Sequence, residues 1–279
     1  MILTIGSAQF GLHYGFKNKK IKKKDLKKIL KTLQANKLKY FDTATNYNDS
    51  EKIIGNLKIH NKKIITKIKL PKKKLNIEKW YKQQISNSLK NLKVKKLYGL
   101  MFHDTSDFIN NKSKFLKLML ESKKNKFVSN IGISVYDIKE VENILKFWVP
   151  DIIQFPLNIF DQRFLNKYFL NKAKKLKIKL YARSCFLQGN LLQKKLLIGN
   201  KKSKKIFNSF KDWCNINKKS QLSACLNFVK QNKQIKSIVV GFDDNEELRQ
   251  ITSEFRKKTF HVPLRFIINE KKIIDPRKW

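Results

Sequence analysis

FDTATNYNDSE, residues 41–51, closes a short apolar run on Asp42 and sets Tyr47 five residues further on. The next apolar run, KIITKIKL at 63–70, carries Lys67, and the one after it, KLYGLMFHD at 96–104, ends on His103. Short apolar runs separated by helical patterns suit strands buried on both faces of a parallel sheet. In a closed (β/α)8 barrel the carboxyl ends of the strands form the active face. Three successive strands would therefore bring a carboxylate, a phenol, an amine and an imidazole to one rim.

The same alternation extends in both directions. Strands are predicted at Leu3–Ala8, Lys39–Ala44, Lys63–Lys69, Leu97–His103, Val128–Val135, Asp151–Leu157, Lys179–Ser184 and Ser237–Phe242. Between them, apolar residues recur at helical spacing, as in Leu26, Ile29, Leu30 and Leu33, in Tyr81, Ile85, Leu89 and Leu92, and in Leu248, Ile251 and Phe255. Eight strands, each followed by a helix, predict the α/β class and a single-domain (β/α)8 TIM barrel over residues 1–279. A longer connection is expected at 189–218. In the tail, 259–279, the run LRFIINEKKIID suggests a hairpin near Asn269 and Glu270. The first strand begins almost at Met1, which leaves little room for a hairpin to close the barrel floor. The tail is a candidate for that task.

Composition narrows the function classes. No apolar stretch reaches bilayer-spanning length, and MILTIGSAQFG lacks the pattern of a signal peptide, so a cytoplasmic protein is expected. Cys185, Cys214 and Cys225 match no close-set metal motif and are read as structural thiols. The net charge of +42 raises nucleic acid as a partner, yet only six of the 63 basic residues are Arg, and Lys is spread through every helix. That spread, with abundant Asn, Ile and Phe, points to the codon bias of an AT-rich genome. No specific nucleic-acid partner is expected, and any such binding should be sequence-blind.

The pattern D-T-A-x-x-Y…S-E in residues 42–51, followed by Lys67 and His103, resembles that of the aldo-keto reductases. The likeness spans nearly the whole chain and departs once within the signature, where Asn48 replaces the usual Gly. The resemblance implies an NAD(P)H-dependent reduction of an aldehyde or ketone with Asp42, Tyr47, Lys67 and His103 as catalytic residues. In that chemistry Tyr47 gives the proton. A nearby cation, Lys67, would lower the phenol's pKa from about 10. Asp42 would fix the Lys, and His103 would orient the carbonyl oxygen.

The resemblance also implies a cofactor, NADPH or NADH. Ser134 and Gln154 match positions that hold the nicotinamide carboxamide. Arg183, Ser184 and Gly189 lie in YARSCFLQGNLL at 181–192, which resembles the seventh-strand loop around the pyrophosphate. Arg183 stands where an aromatic commonly stacks. A guanidinium can stack too, meet an anionic substrate, or pair on the rim with Asp151 or Asp161. In SIVVGFDDNEELRQI at 237–251, Gly241 permits close approach and Asn245 can cap the following helix. Asp243 and Asp244 stand where NADP-preferring members carry basic residues, so a ribose hydroxyl suits them better than a 2′-phosphate.

AQFGLHYG, ISVYD, NIFDQRF and RSCFLQGNLL resemble a bacterial subgroup of surface-polysaccharide and modified-sugar pathways, implying a sugar derivative as the small-molecule carbonyl substrate. Phe10, Leu12, Tyr14, Phe160, Arg163 and Phe186 are candidate pocket or rim residues. A monomer or homodimer is expected. Two other readings stay open: a non-catalytic nicotinamide-cofactor-binding subunit, and a Schiff-base lyase using Lys67.

Overall fold

Eight parallel strands close in sequence order in the computed structural model, which describes residues 1–70 and 76–279. They are β1 Ile2–Gly6, β2 Tyr40–Asp42, β3 Lys63–Ile68, β4 Leu97–Phe102, β5 Val128–Ser134, β6 Ile152–Pro156, β7 Lys179–Arg183 and β8 Ile235–Val240. The barrel predicted from the alternation of runs is the barrel observed. All eight predicted strands overran at the carboxyl end by one or two residues, because the residues nearest that rim already belong to loops.

Alternation along each strand sorts side chains between two layers. On β3, Ile65 joins Met101, Ile152, Tyr181 and Val239 inside the barrel. Ile64 and Ile68 instead enter the larger core between strands and helices. Thr66 shares their parity and donates to Glu51 Oε1 at 2.7 Å on the Ser50–Asn56 helix. Lys67 therefore has the inward parity of Ile65. The outer layer is rich in aromatics: Phe102 packs edge-on against Phe108 at 5.4 Å, Phe115 at 4.8 Å and Trp148 at 6.2 Å. Such pairs favour edge-to-face geometry and fix how helices sit on the sheet.

The connection at 189–218 is no slack loop. It contains the helix Lys201–Ile216, which buries Phe207, Phe210 and Cys214, and the Gln221–Lys230 helix follows. All three cysteines are free and buried. Burial pushes the Cys214 thiol up to about 12. Among the described residues no helix is long and apolar enough to cross a membrane.

The tail departs from expectation twice. It forms no hairpin: a helical turn at Lys271–Ile274 is flanked by 3-10 turns at Leu264–Phe266 and Pro276–Lys278. Asn-Glu lacks the left-handed preference of Asn-Gly, and Pro276 withholds the amide that a ladder would need. Nor does the tail's later part, from Leu264 on, lie at the floor. Ile268 N donates to Phe160 O at 2.9 Å, Lys271 Nζ lies 3.0 Å from Asp137 Oδ2, and Trp279 meets Phe16 with ring centroids 6.3 Å apart. These partners belong to loops at the carboxyl ends of the strands, so the tail crosses the active rim. At the floor, Tyr40 and Tyr98 pack edge to face at 5.6 Å, and Lys179 Nζ reaches Asn130 Oδ1 at 2.6 Å.

Candidate active site

The loop after β2 is held from both sides. Ser50 Oγ lies 2.9 Å from Ser7 O, 2.7 Å from Ser7 Oγ and 3.0 Å from Thr43 Oγ1, tying the loop to β1. Asn48, where the signature departs from Gly, has φ +46°. Asn is among the few side chains that accept this left-handed conformation at small cost, so the departure keeps the turn. Gly11 is a tighter constraint: a Cβ there would sit 1.7 Å from the carbonyl oxygen of Tyr47. Only a glycine lets the β1 loop approach the Tyr47 backbone so closely.

Beneath Tyr47 lies a fully buried ion pair. Lys67 Nζ donates to Asp42 Oδ1, with 2% and 7% of the two side chains exposed. Gln154 Nε2 donates to the other carboxylate oxygen at 2.7 Å. Burial pulls the ammonium down and Asp42 opposes it. The Lys67 Nζ lies 5.7 Å from the centroid of the Tyr47 ring. His103 also meets that ring in a T-shaped contact, with ring centroids 5.7 Å apart.

The electrostatics differ from expectation at Tyr47. Its phenol is held well above the usual range by burial, with Tyr14 and Asp42 acting the same way and Arg183 opposing. Lys67 cannot supply the expected net positive field, because Asp42 balances its charge at contact distance. His103 is driven down to about 3 by burial and by the charges of Lys67, Lys69 and Arg183. The imidazole is therefore neutral at any physiological pH, and its buried Nδ1 has no partner among the described residues.

These residues open into one cavity of about 830 Å³. Of the residues singled out in the sequence, Asp42, Tyr47, Lys67, His103, Ser134, Gln154, Arg183, Ser184, Gly189, Gly241 and Asp243 line it, as do Tyr14 and Phe186. Asn245 does not. Its Oδ1 accepts from Thr32 Oγ1 at 2.8 Å, and the cap of the Asn245–Arg256 helix is Asp244, which accepts from Glu247 N at 2.9 Å. The cap lies one residue earlier than expected, where the backbone is still extended, and this turns Asp244 away from the cavity. Phe10 and Phe160 are core residues. Arg183 pairs with neither predicted partner: Asp151 is taken by Lys123 at 2.6 Å and Asp161 by Arg163 at 2.7 Å.

Several lining residues escaped the sequence reading, among them Gln9, Lys17, Lys69, Tyr136, Glu247 and Arg277. Lys17 reaches Glu247 Oε1 at 2.7 Å and Asp243 Oδ2 at 3.6 Å, and Phe16 N donates to Gln188 O at 2.8 Å. The β1 loop thus bridges the β7 loop and the last helix. No local pattern marks these residues, since each acts on a segment far away in sequence.

The cavity extends from Tyr47 and His103 to Glu247, Gln250 and Ile251, a shape suited to an elongated ligand. Its middle is lined by bare backbone. Gly189 has φ +92° with open space where a Cβ would be, and a Cβ on Gly241 would come within 2.7 Å of Gln9 Oε1. Such stretches let phosphates approach main-chain amides. The residues present therefore fit a dinucleotide.

The model of the aldo/keto reductase family matches residues 2–261. No curated protein matches the chain. Among solved structures, the holo form of an aldo-keto reductase from Bacillus halodurans is similar at 14% identity and a TM-score of 0.72, covering 93% of this chain and 88% of that one. The glycerol dehydrogenase from Gluconobacter oxydans matches at 15% identity and 0.72, covering 93% and 87%. At these identities the likeness is one of fold.

Proposed function

The chain belongs to the aldo/keto reductase family, and on that premise we propose that it reduces the carbonyl of a sugar derivative, with Tyr47 as proton donor. Family membership makes it an NAD(P)H-dependent carbonyl oxidoreductase. The observation that carries the residue roles is the buried Lys67–Asp42 pair, braced by Gln154, under a phenol and a neutral imidazole in one cavity. Burying an ion pair costs free energy unless its geometry and hydrogen bonds are good, and a pair kept at a cavity wall suggests work there.

A bound nicotinamide supplies the hydride. Ser134, Gln154, Ser184, Gly189 and Gly241 would hold the dinucleotide, with Asp243 toward its ribose. Gln154 has a second task, since its amide nitrogen is already engaged by Asp42. His103, being neutral, can donate one hydrogen bond to the substrate oxygen without adding charge. Tyr47 stays protonated at neutral pH because burial holds its pKa up. It yields its proton only when the carbonyl oxygen becomes an alkoxide, which is more basic than a phenolate. Arg183, the cation that opposes the raised pKa of Tyr47, then stabilises the phenolate. Asp243 and Glu247 disfavour a 2′-phosphate, which supports weak discrimination for NADPH.

The lyase reading loses ground, because a Schiff-base Lys must present a free amine and Lys67 Nζ is engaged with Asp42. The reductase reading is tested by titrating intrinsic fluorescence with NADH and NADPH, then following cofactor oxidation against a panel of keto-sugars and aldehydes. Saturable binding with turnover of a sugar carbonyl is expected. Binding without turnover of any carbonyl would favour a non-catalytic subunit.

A further inference from the structure

Only six of the 63 basic residues are Arg, and three of these six meet at one place on the rim. The guanidinium carbons of Arg183 and Arg277 lie 4.0 and 3.5 Å from the centroid of the Tyr136 ring. Arg163 Nη1 lies 3.9 Å from Asp137, the next residue. In a chain that otherwise uses Lys for positive charge, this clustering singles out the planar fork of Arg rather than charge alone. That fork grips carboxylate and phosphate oxygens two at a time, which an ammonium cannot do.

The carboxylates of the rim leave one of these cations over. Arg163 is held by Asp161, through Nε at 2.8 Å and Nη2 at 2.7 Å, and Lys271 by Asp137. Arg277 is gripped in the same bidentate way by Asp275, at 2.9 and 2.7 Å. Arg183 has no carboxylate within ion-pair distance among the described residues. It donates to the Val135 carbonyl at 3.2 Å and to Ser184 Oγ at 3.4 Å, so at least three of its five N–H groups have no acceptor among the described residues. Both Arg183 and Arg277 line the cavity with Tyr47 and His103, and so does Lys69. Asp104 also lines this end, and its Oδ1 already accepts from Ser106 N and Oγ, both at 3.0 Å.

We propose that the carbonyl substrate itself carries an anionic group, a carboxylate or a phosphate, and that Arg183 receives it with Arg277 as a second arm. The proposal rests on the reductase reading above and narrows its substrate. Stacking on Tyr136 fixes both guanidinium groups, and Asp275 orients Arg277 while leaving it free donors. A half-buried, unpaired guanidinium is poorly solvated, so an anionic ligand would recover interaction that water supplies only in part. The anion would lie beside the neutral His103, which does not compete for it.

Two pairs of probes test this in the intact enzyme at low salt: 4-carboxybenzaldehyde against its neutral methyl ester, and D-glyceraldehyde 3-phosphate against D-glyceraldehyde. The charged member of at least one pair should have a kcat/KM about tenfold higher or more, and which pair shows the preference tells carboxylate from phosphate. Arg183→Gln and Arg277→Gln should each cut the charged-to-neutral ratio by about tenfold, and Arg277→Lys should restore little of it. Equal rates within both pairs would overturn the proposal and leave the reductase reading standing. So would variants that weaken NADH and NADPH binding while leaving the ratio unchanged, since the arginines would then serve the cofactor. If none of the four is turned over, yet calorimetry still shows the charged members bound more tightly and the variants losing that difference, the reductase reading alone fails.

Discussion

The two ends of the cavity are built on different principles. At the end beneath Tyr47, the proposed reacting end, Asp42, Lys67 and Gln154 come from strands or their tips, are almost wholly buried, and hold one another by hydrogen bonds between segments. At the far end, Lys17, Asp243 and Glu247 come from loops and a helix start, and Lys17 and Glu247 keep 43% and 31% of their side chains exposed. A buried pair cannot be broken without leaving an uncompensated charge, whereas a wet pair contributes at most about 1 kcal/mol and exchanges readily with ions or ligand. The dry end can hold geometry through the reaction. On the proposed function, the wet end would open for the cofactor to enter.

If that contrast is right, the largest effects belong to the dry end. Tyr47→Phe should lower kcat about 10²–10⁴-fold with cofactor Kd unchanged, because only the hydroxyl is lost. Lys67→Met should act in the same direction, and the double variant should lose far less than the product of the two, since both disable one proton donor. Single-turnover kinetics would read this, and near-normal turnover in Tyr47→Phe would sink the assignment.

Next in size is Gly11→Ala. A Cβ at that point collides with the Tyr47 carbonyl, so the loop must shift. Displacing a reacting group by about an ångström can cost about 10²-fold in rate. A far-UV spectrum and melting curve like those of the parent, with kcat reduced, would separate misplacement from unfolding. Unchanged kcat would show that the loop tolerates the shift.

A smaller effect concerns acid stability. His103 sits near 3 in the folded chain against about 6.5 when unfolded, so between these values the unfolded state binds the extra proton. Stability from this group is complete above about pH 6.5 and falls as pH drops toward 3, by at most about 1.4 kcal/mol per pH unit. Urea midpoints measured from pH 7 to pH 4 should fall less steeply in His103→Asn than in the parent. Parallel curves would show that His103 can be protonated in the folded protein.

The wet end should respond least. Asp243→Arg should improve NADPH affinity relative to NADH by about tenfold, an effect that fades as salt screens the new charge. Equal changes for both cofactors would mean that Asp243 does not face the 2′ position.

The same contrast explains what could be read before folding. That Asp42, Lys67 and His103 share one cavity was legible because each sits at or near the carboxyl end of an apolar run, and a strand end in a parallel barrel has one destination. Tyr47 was legible through its spacing from Asp42. Lys17, Tyr136 and Arg277 were not, because their contacts join segments whose distance in sequence carries no periodic signal. The Asn245 cap was misplaced by one residue, since Asp244 and Asn245 are equally good caps by composition and only backbone dihedrals choose between them. One usable signal went unread: in a chain so biased toward Lys, three of the six Arg gather around Tyr136, where the planar shape of the cation is used.

The inward parity of Lys67 also bears on how the chain finds its register. A one-residue slip of β3 would exchange its two faces, sending Lys67 toward the helices and Thr66 into the barrel. Asp42 would then be left without its cation, and Glu51 would lose Thr66 and face an ammonium instead. Residues from β2, β3 and β6 must all be in place before the pair is satisfied, so the charges penalise incomplete or slipped closure in a way that interchangeable isoleucines cannot. The groups that hold the reacting end in shape thus serve as a check on assembly, rejecting barrels that hydrophobic burial alone would accept.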